Sequence, residues 1–247
     1  MELLAEGFRR IYVWEAPVRI FHWFNVLAMV VLIGTGIIIG NPPAIMSGAE
    51  ANDQYWFGIV RFVHFVAAYI FVIMITMRVI WAFIGNKYAS WRVFFPYTRK
   101  GIRNLLHVLK MDVLLGNPKK FDCTELAVGH NALAGISYFV FFLFMFAQIL
   151  TGFGLYASMS PGWFASLFTW VVPMLGGDFA ARNIHHIIMW LMIAFSLVHV
   201  YLVMYHDWLE GRSEVSSMFG GYKFVRPRRL EKAAAEKAAK EAALKKD

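Results

Sequence analysis

Thiol chemistry is almost missing from this sequence, in which Cys123 is the one cysteine. A lone cysteine excludes an internal disulfide and a cysteine-ligated iron–sulfur cluster. Charge is sparse too, at 16% of 247 residues, where a soluble domain usually carries about a quarter. Residues 41–57 hold no Lys or Arg, only Glu50 and Asp53. There is no internal repeat, and no pair of Gly/Pro-broken apolar segments of the kind that marks a transporter's midplane site. The first apolar run follows a charged leader, is long enough to span a bilayer and lacks a small-residue cleavage site. It therefore reads as a retained helix and not as a signal peptide.

What the sequence has in abundance is apolar surface, 59% of residues, with mean hydropathy +0.54. The apolar residues fall in blocks near 20–40, 63–84, 131–156 and 184–205, each close to the roughly 20 residues a helix needs to cross a bilayer. The expected fold is an all-α membrane protein, a four-helix transmembrane bundle. Its helices run over about 18–40, 58–84, 130–156 and 184–207, inside a domain of 17–210 that includes a connector at 85–129. A leader of 1–16 precedes it and a basic tail of 211–247 follows.

Charge sets the orientation. Of 24 Lys and Arg, three precede the first helix, eight lie in the 85–129 connector and ten follow residue 206. By the positive-inside rule both termini and the connector face the cytoplasm, and the 41–57 and 157–183 loops face out. The net charge of +8 is thus a topology signal, and a nucleic-acid partner is not expected. The connector has Pro96 and Pro118 as breakers around a possible surface helix near 99–115. The tail pairs Glu236 with Lys240 and Glu241 with Lys245 at i,i+4, as a solvated helix would. Trp14, Trp23, Trp56, Trp81, Trp163 and Trp208 gather near the expected interfaces.

Residues 182–201, RNIHHIIMWLMIAFSLVHVY, are apolar yet carry three histidines. His185 and His199 are 14 residues apart, which on a helix means about 40° of azimuth and ~21 Å along the axis. They share a face near opposite membrane surfaces. Helix polarity then pairs His22 with His199 at cytoplasmic depth, and His64 with His185 at outer depth. His186 points about 100° away from His185, so only one of the two is expected to face a common ligand.

A single histidine at a helix end is ordinarily interfacial or bonded to a neighbour. Four at matching depths, in a membrane where ionisable groups are costly, suggest function. Facing imidazoles at two depths suit two b-type haems in a bundle core, and two axial imidazoles leave no iron position for O2. A single zinc ion cannot join pairs separated by ~21 Å. Gly34, Gly36, Gly135 and Gly152, in "LIGTG", "GHNALAGISYF" and "ILTGFG", are candidates to admit a flat macrocycle.

Four segments are familiar in combination: VWEAPVRIFHWFNVLAMVVLIGTG, RFVHFVAAYIFVIMITMRVIWAFIGN, GHNALAGISYF and RNIHHIIMWLMIAFSLVHVYL. They resemble the b-type cytochrome subunit of membrane-bound nickel–iron uptake hydrogenases. The wider family of four-helix dihaem cytochromes b includes formate dehydrogenase subunits. The likeness runs from about residue 12 to 222, and its most specific marks are Arg–x–x–His–Trp around His22 and His–x4–Trp–x8–His from His185 to His199. It implies two haem b, with His22, His64, His185 and His199 as axial ligands. It also implies a periplasmic small subunit with iron–sulfur clusters, a nickel–iron large subunit that oxidises H2, and a quinone (menaquinone or ubiquinone) as acceptor. A formate-type complex, a stand-alone quinol-reactive cytochrome and a haem-free bundle are the other readings.

Weaker candidates complete the set. Arg61, Arg78 and Arg182 are possible partners of haem propionates, with snorkelling to headgroups as the alternative. His130 and His206 are candidates for quinone contact, and His107 reads as a solvent-exposed residue of the connector.

Overall fold

The computed structural model describes residues 9–43, 55–94, 102, 106, 132–160, 162–210 and 214–225. Four helices dominate: α1 (Ala16–Gly40), α2 (Trp56–Ile84), α3 (Ala132–Ala157) and, after two short helices, α6 (Asp178–Glu210). All four are long and apolar enough to cross a membrane. Their outward residues are large and apolar, with Phe62 67% exposed and Phe83 72%, a surface suited to lipid and not to water. The chain is a multi-pass membrane protein.

Local chemistry sets the helix ends. Pro17 sits in the first turn of α1, where its missing N–H costs nothing, and Pro42 and Pro43 follow the last turn. Beyond α2, the Asn86 Oδ1 accepts the N–H groups of Tyr88 (2.9 Å) and Ala89 (3.0 Å), closing an Asx turn. Gly176 and Gly177, at φ +91° and +107°, turn the chain into α6, whose first residue Asp178 suits the positive helix end.

Two expectations change at this point. The last helix begins at Asp178 and not near 184, because Arg182 and Asn183 belong to a helix whose apolar pattern starts only after them. The 157–183 segment carries two short helices, α4 (Trp163–Ser166) and α5 (Val171–Met174), joined by turns. Phe153 explains this order, since its ring meets Phe164 and Phe168, each at 5.3 Å. Val171 packs against Gly154, where a Cβ would come within 2.9 Å of Val171 Cβ.

The chain divides into two compact units. One comprises Ile20–Trp81 and Phe141–Ser196, with segments of all four long helices. Its core joins Phe21, Ala28 and Met29 of α1, Phe71 and Ile75 of α2, Phe141 and Met145 of α3, and Met192 of α6. A polar side chain is buried beside this core. Asn25 is buried, with its Nδ2 3.7 Å from Met29 Sδ and 3.6 Å from Met145 Sδ.

The other unit holds described residues of the leader, the connector and the tail. Here β1 (Arg9–Tyr12) pairs antiparallel with β2 (Tyr222–Val225), Tyr12 opposite Tyr222. Between α6 and β2 lies α7 (Glu214–Gly220). The pairing satisfies backbone groups beside a buried Val13 and Trp14. Trp14 Nε1 donates to Ser217 Oγ (3.2 Å), Lys223 pairs with Glu214 (2.6 Å), and the Arg19 guanidinium donates to the Phe219 carbonyl. Gly221, at φ +83°, leaves only 2.7 Å between a Cβ and the Trp14 carbonyl.

Cys123, His107, His130 and the tail beyond Val225 lie outside the described residues. So does the expected 99–115 helix, except for Ile102 and Leu106, both helical.

Candidate functional site

Within the unit of Ile20–Trp81 and Phe141–Ser196, the helices leave a cavity of ≈ 380 Å³, in the size range of ligand sites. His64 of α2 and His185 of α6 both line it, and both are half-buried. Much of the wall is apolar or aromatic. Phe65 meets Tyr156 at 4.6 Å and Tyr69 meets Phe153 at 5.2 Å, tying α2 to α3. Gln148 is a polar exception in that wall: its buried Oε1 has no hydrogen-bond partner among the described residues.

Each ring is held in the same way. Thr35 Oγ1 lies 2.8 Å from His64 Nδ1, and Thr151 Oγ1 lies 2.8 Å from His185 Nδ1. Each hydroxyl also bonds the carbonyl four residues back, Val31 at 2.6 Å and Ala147 at 2.7 Å. A hydroxyl has one hydrogen, and that short bond uses it, so the threonine oxygen must accept from Nδ1–H. The neutral ring then keeps its lone pair on Nε2, the nitrogen available to a metal. The residue after each threonine is glycine. A Cβ on Gly36 would meet His64 Cε1 at 3.4 Å, and one on Gly152 would meet His185 Cε1 at 3.1 Å.

The other expected residues fall as follows. His186 lines the cavity as well as His185, and it rests on Gly40, where a Cβ would stand 2.6 Å from its Cε1. Adjacent helical residues can border one wide cavity when, as here, a glycine of α1 makes room. Arg61 lines the cavity and donates to Met159 Sδ at 2.8 Å, and Arg182 lines it from an exposed position. Arg78 is buried, its guanidinium 6.0 Å from the Phe142 ring centre, and is not among the cavity residues. His22 is half-buried with its ring edge-on to Trp23 at 5.0 Å. His199, in the other unit, has Nδ1 3.3 Å from Tyr138 Oη. His206 is placed on α6 by its backbone.

Two of the glycines have other duties. Gly135 lets α3 approach the turn at residues 91–94, where a Cβ would be 2.6 Å from the Val93 carbonyl, so its smallness serves backbone contact and not a macrocycle. Gly34 faces open space. Sequence reasoning missed Thr35 and Thr151. Their signal was the repeated Thr–Gly in "LIGTG" and "ILTGFG", the first of which closes the His22 motif, yet only the glycines carried a structural role in that reading.

The cavity fits a flat cofactor that brings its own equatorial ligands. Two imidazoles border it with Nδ1 engaged and glycines at their edges. No group of three or more His, Cys, Asp or Glu that could hold a bare metal ion occurs among the described residues. A family model described as prokaryotic cytochrome b561 matches residues 13–221. The chain belongs to the prokaryotic cytochrome b561 family. As a b-type cytochrome it carries haem b, and electron transfer is its chemistry. The cytochrome is 39% identical over 224 residues to a probable Ni/Fe-hydrogenase B-type cytochrome subunit of Cupriavidus necator, covering 89% of each chain. It is 38% identical over 222 residues to a protein of the same description from Azotobacter vinelandii, covering 87% of this chain and 89% of that one. A probable Ni/Fe-hydrogenase 1 B-type cytochrome subunit of Escherichia coli is 35% identical over 217 residues, covering 86% and 90%.

Proposed function

We propose that this cytochrome is the membrane subunit through which a nickel–iron hydrogenase delivers electrons from H2 to menaquinone or ubiquinone. His64 and His185 ligate one haem b, and His22 and His199 a second. The observation that carries the reading is the meeting of His64 and His185 at one cavity, each held at Nδ1. The names of its relatives suggest the hydrogenase partner. Haem b, when bound, supplies a one-electron iron couple, and two imidazole ligands suit that couple to carrying electrons and not O2.

The chain's own residues hold, orient and shield. The aromatic rings of Phe65, Tyr69, Phe153 and Tyr156 give the cavity an apolar wall. Arg61 and Arg182 offer positive charge to carboxylates at its edge. By the positive-inside rule the termini face the cytoplasm of a bacterial inner membrane. The His64–His185 pair then lies towards the periplasmic small subunit with its iron–sulfur clusters, beyond which sits the nickel–iron large subunit. The His22–His199 pair lies towards the cytoplasm, with His130 and His206 as candidates to contact quinone. An electron moved inward across 100 mV carries ~2.3 kcal/mol, so quinone reduction with protons from the cytoplasm is electrogenic.

The test is a set of four variants in the intact complex. His64→Ala or His185→Ala removes one haem and leaves the other unreduced by H2. His22→Ala or His199→Ala leaves a haem that H2 reduces, yet stops quinone reduction. Full quinone reduction in all four variants contradicts the assignment.

A further inference from the structure

The two imidazoles that meet at the cavity are served by one device used twice. On α1 it is Thr35–Gly36 acting on His64 of α2, and on α3 it is Thr151–Gly152 acting on His185 of α6. The two copies agree in detail. Each threonine hydroxyl is anchored to the carbonyl four residues back and also touches the carbonyl three back, Leu32 and Gln148, at 3.3 Å. Each Nδ1 distance is 2.8 Å, and each glycine leaves the ring's Cε1 edge against bare helix backbone.

We propose that Thr35 and Thr151 are positioning residues for haem ligation, each hydroxyl fixing the Nδ1–H tautomer and ring plane of its histidine and lowering the reduction potential of the haem held there. The inference rests on the proposed reading of His64 and His185 as axial ligands. The physics is that of outer-shell partners in metal sites. An acceptor on Nδ1–H makes the imidazole a stronger donor at Nε2, which favours the more oxidised iron. A threonine locked to its own helix does this with little freedom to drift, because its χ1 is restricted and its hydrogen is committed. The two sites are not equal. Thr151 is buried and Thr35 only half-buried, and a hydrogen bond is stronger where the surroundings are less polar, so the larger effect belongs to His185.

The experiment uses the full-length cytochrome in its complex. Thr151→Val keeps the shape and removes the hydroxyl, and Thr151→Ser keeps the hydroxyl; Thr35→Val and Thr35→Ser are made alongside. Haem content, low-spin ferric EPR and potentiometric titration are the readouts. The expected result is an upward shift in the potential of one haem and a changed EPR signature in Thr151→Val, a smaller change in Thr35→Val, and near-parent values in both Ser variants. Selective loss of that one haem in Val but not Ser is the same result in stronger form. Unchanged potential and spectrum in both Val variants overturns the proposal, as does an equal change in Val and Ser. If the parent protein lacks a bis-histidine haem that disappears in His64→Ala or His185→Ala, the ligand assignment itself fails, a result read before any threonine variant.

Discussion

Two histidine settings in this molecule differ in how the ring is held. His64 and His185 are gripped by threonines at 2.8 Å whose side chains are pinned to their own helices. His199 instead meets the hydroxyl of Tyr138 at 3.3 Å, at the end of a long side chain, with the two rings edge to face at 5.6 Å. A short side chain bonded to its own backbone defines a ring plane; a phenol on an extended arm allows more play. The pair at the cavity is thus held by short hydroxyls anchored to their own helices, and His199 meets a longer phenol contact.

Substitutions at the two settings are expected to differ in effect, His185 most and Tyr138 least. His185→Ala removes a proposed axial ligand, and pyridine haemochrome analysis is expected to lose one haem outright. Gly152→Ala comes next. Its new Cβ meets His185 Cε1 at 3.1 Å, so the ring must shift by a few tenths of an ångström, which reduced-minus-oxidised spectra and haem occupancy would register. Gly36→Ala, at 3.4 Å from His64 Cε1, is ordinary contact and is expected to change these readouts less. Tyr138→Phe deletes one long hydrogen bond, worth about 1 kcal/mol net, and is expected to leave both haems present with a slight spectral change. A change in Tyr138→Phe as large as in Gly152→Ala would erase the contrast between the two settings.

A control lies away from both. Gly221→Ala combines a left-handed φ of +83° with a Cβ 2.7 Å from the Trp14 carbonyl, a strain on the order of 1–3 kcal/mol. It is expected to lower the thermal midpoint of the purified protein while the haem spectra stay as in the parent.

The four spans and the family were legible in the sequence because long apolar runs and the His–x4–Trp–x8–His pattern are local signals. Helix polarity and depth also paired His64 with His185, which the structure brings to one cavity. What could not be read was tertiary. Thr35 precedes His64 by 29 positions and Thr151 precedes His185 by 34, and no period links them. Gly135 looked like the other small residues of the helices, yet its neighbour is a carbonyl of residue 93. The strand pair Arg9–Tyr12 with Tyr222–Val225 joins opposite ends of the chain, and four-residue strands leave little periodicity to detect. The early start of α6 was hidden because Arg182 and Asn183 break the apolar run without breaking the helix.

The most direct test of the account is a haem count on the protein purified with its native partners, followed by exposure to H2. Two haem b per chain, both reduced by H2 when a nickel–iron hydrogenase copurifies, is the predicted result. A chain that spans the membrane but yields no haem would contradict it, for then the cavity between His64 and His185 serves something else.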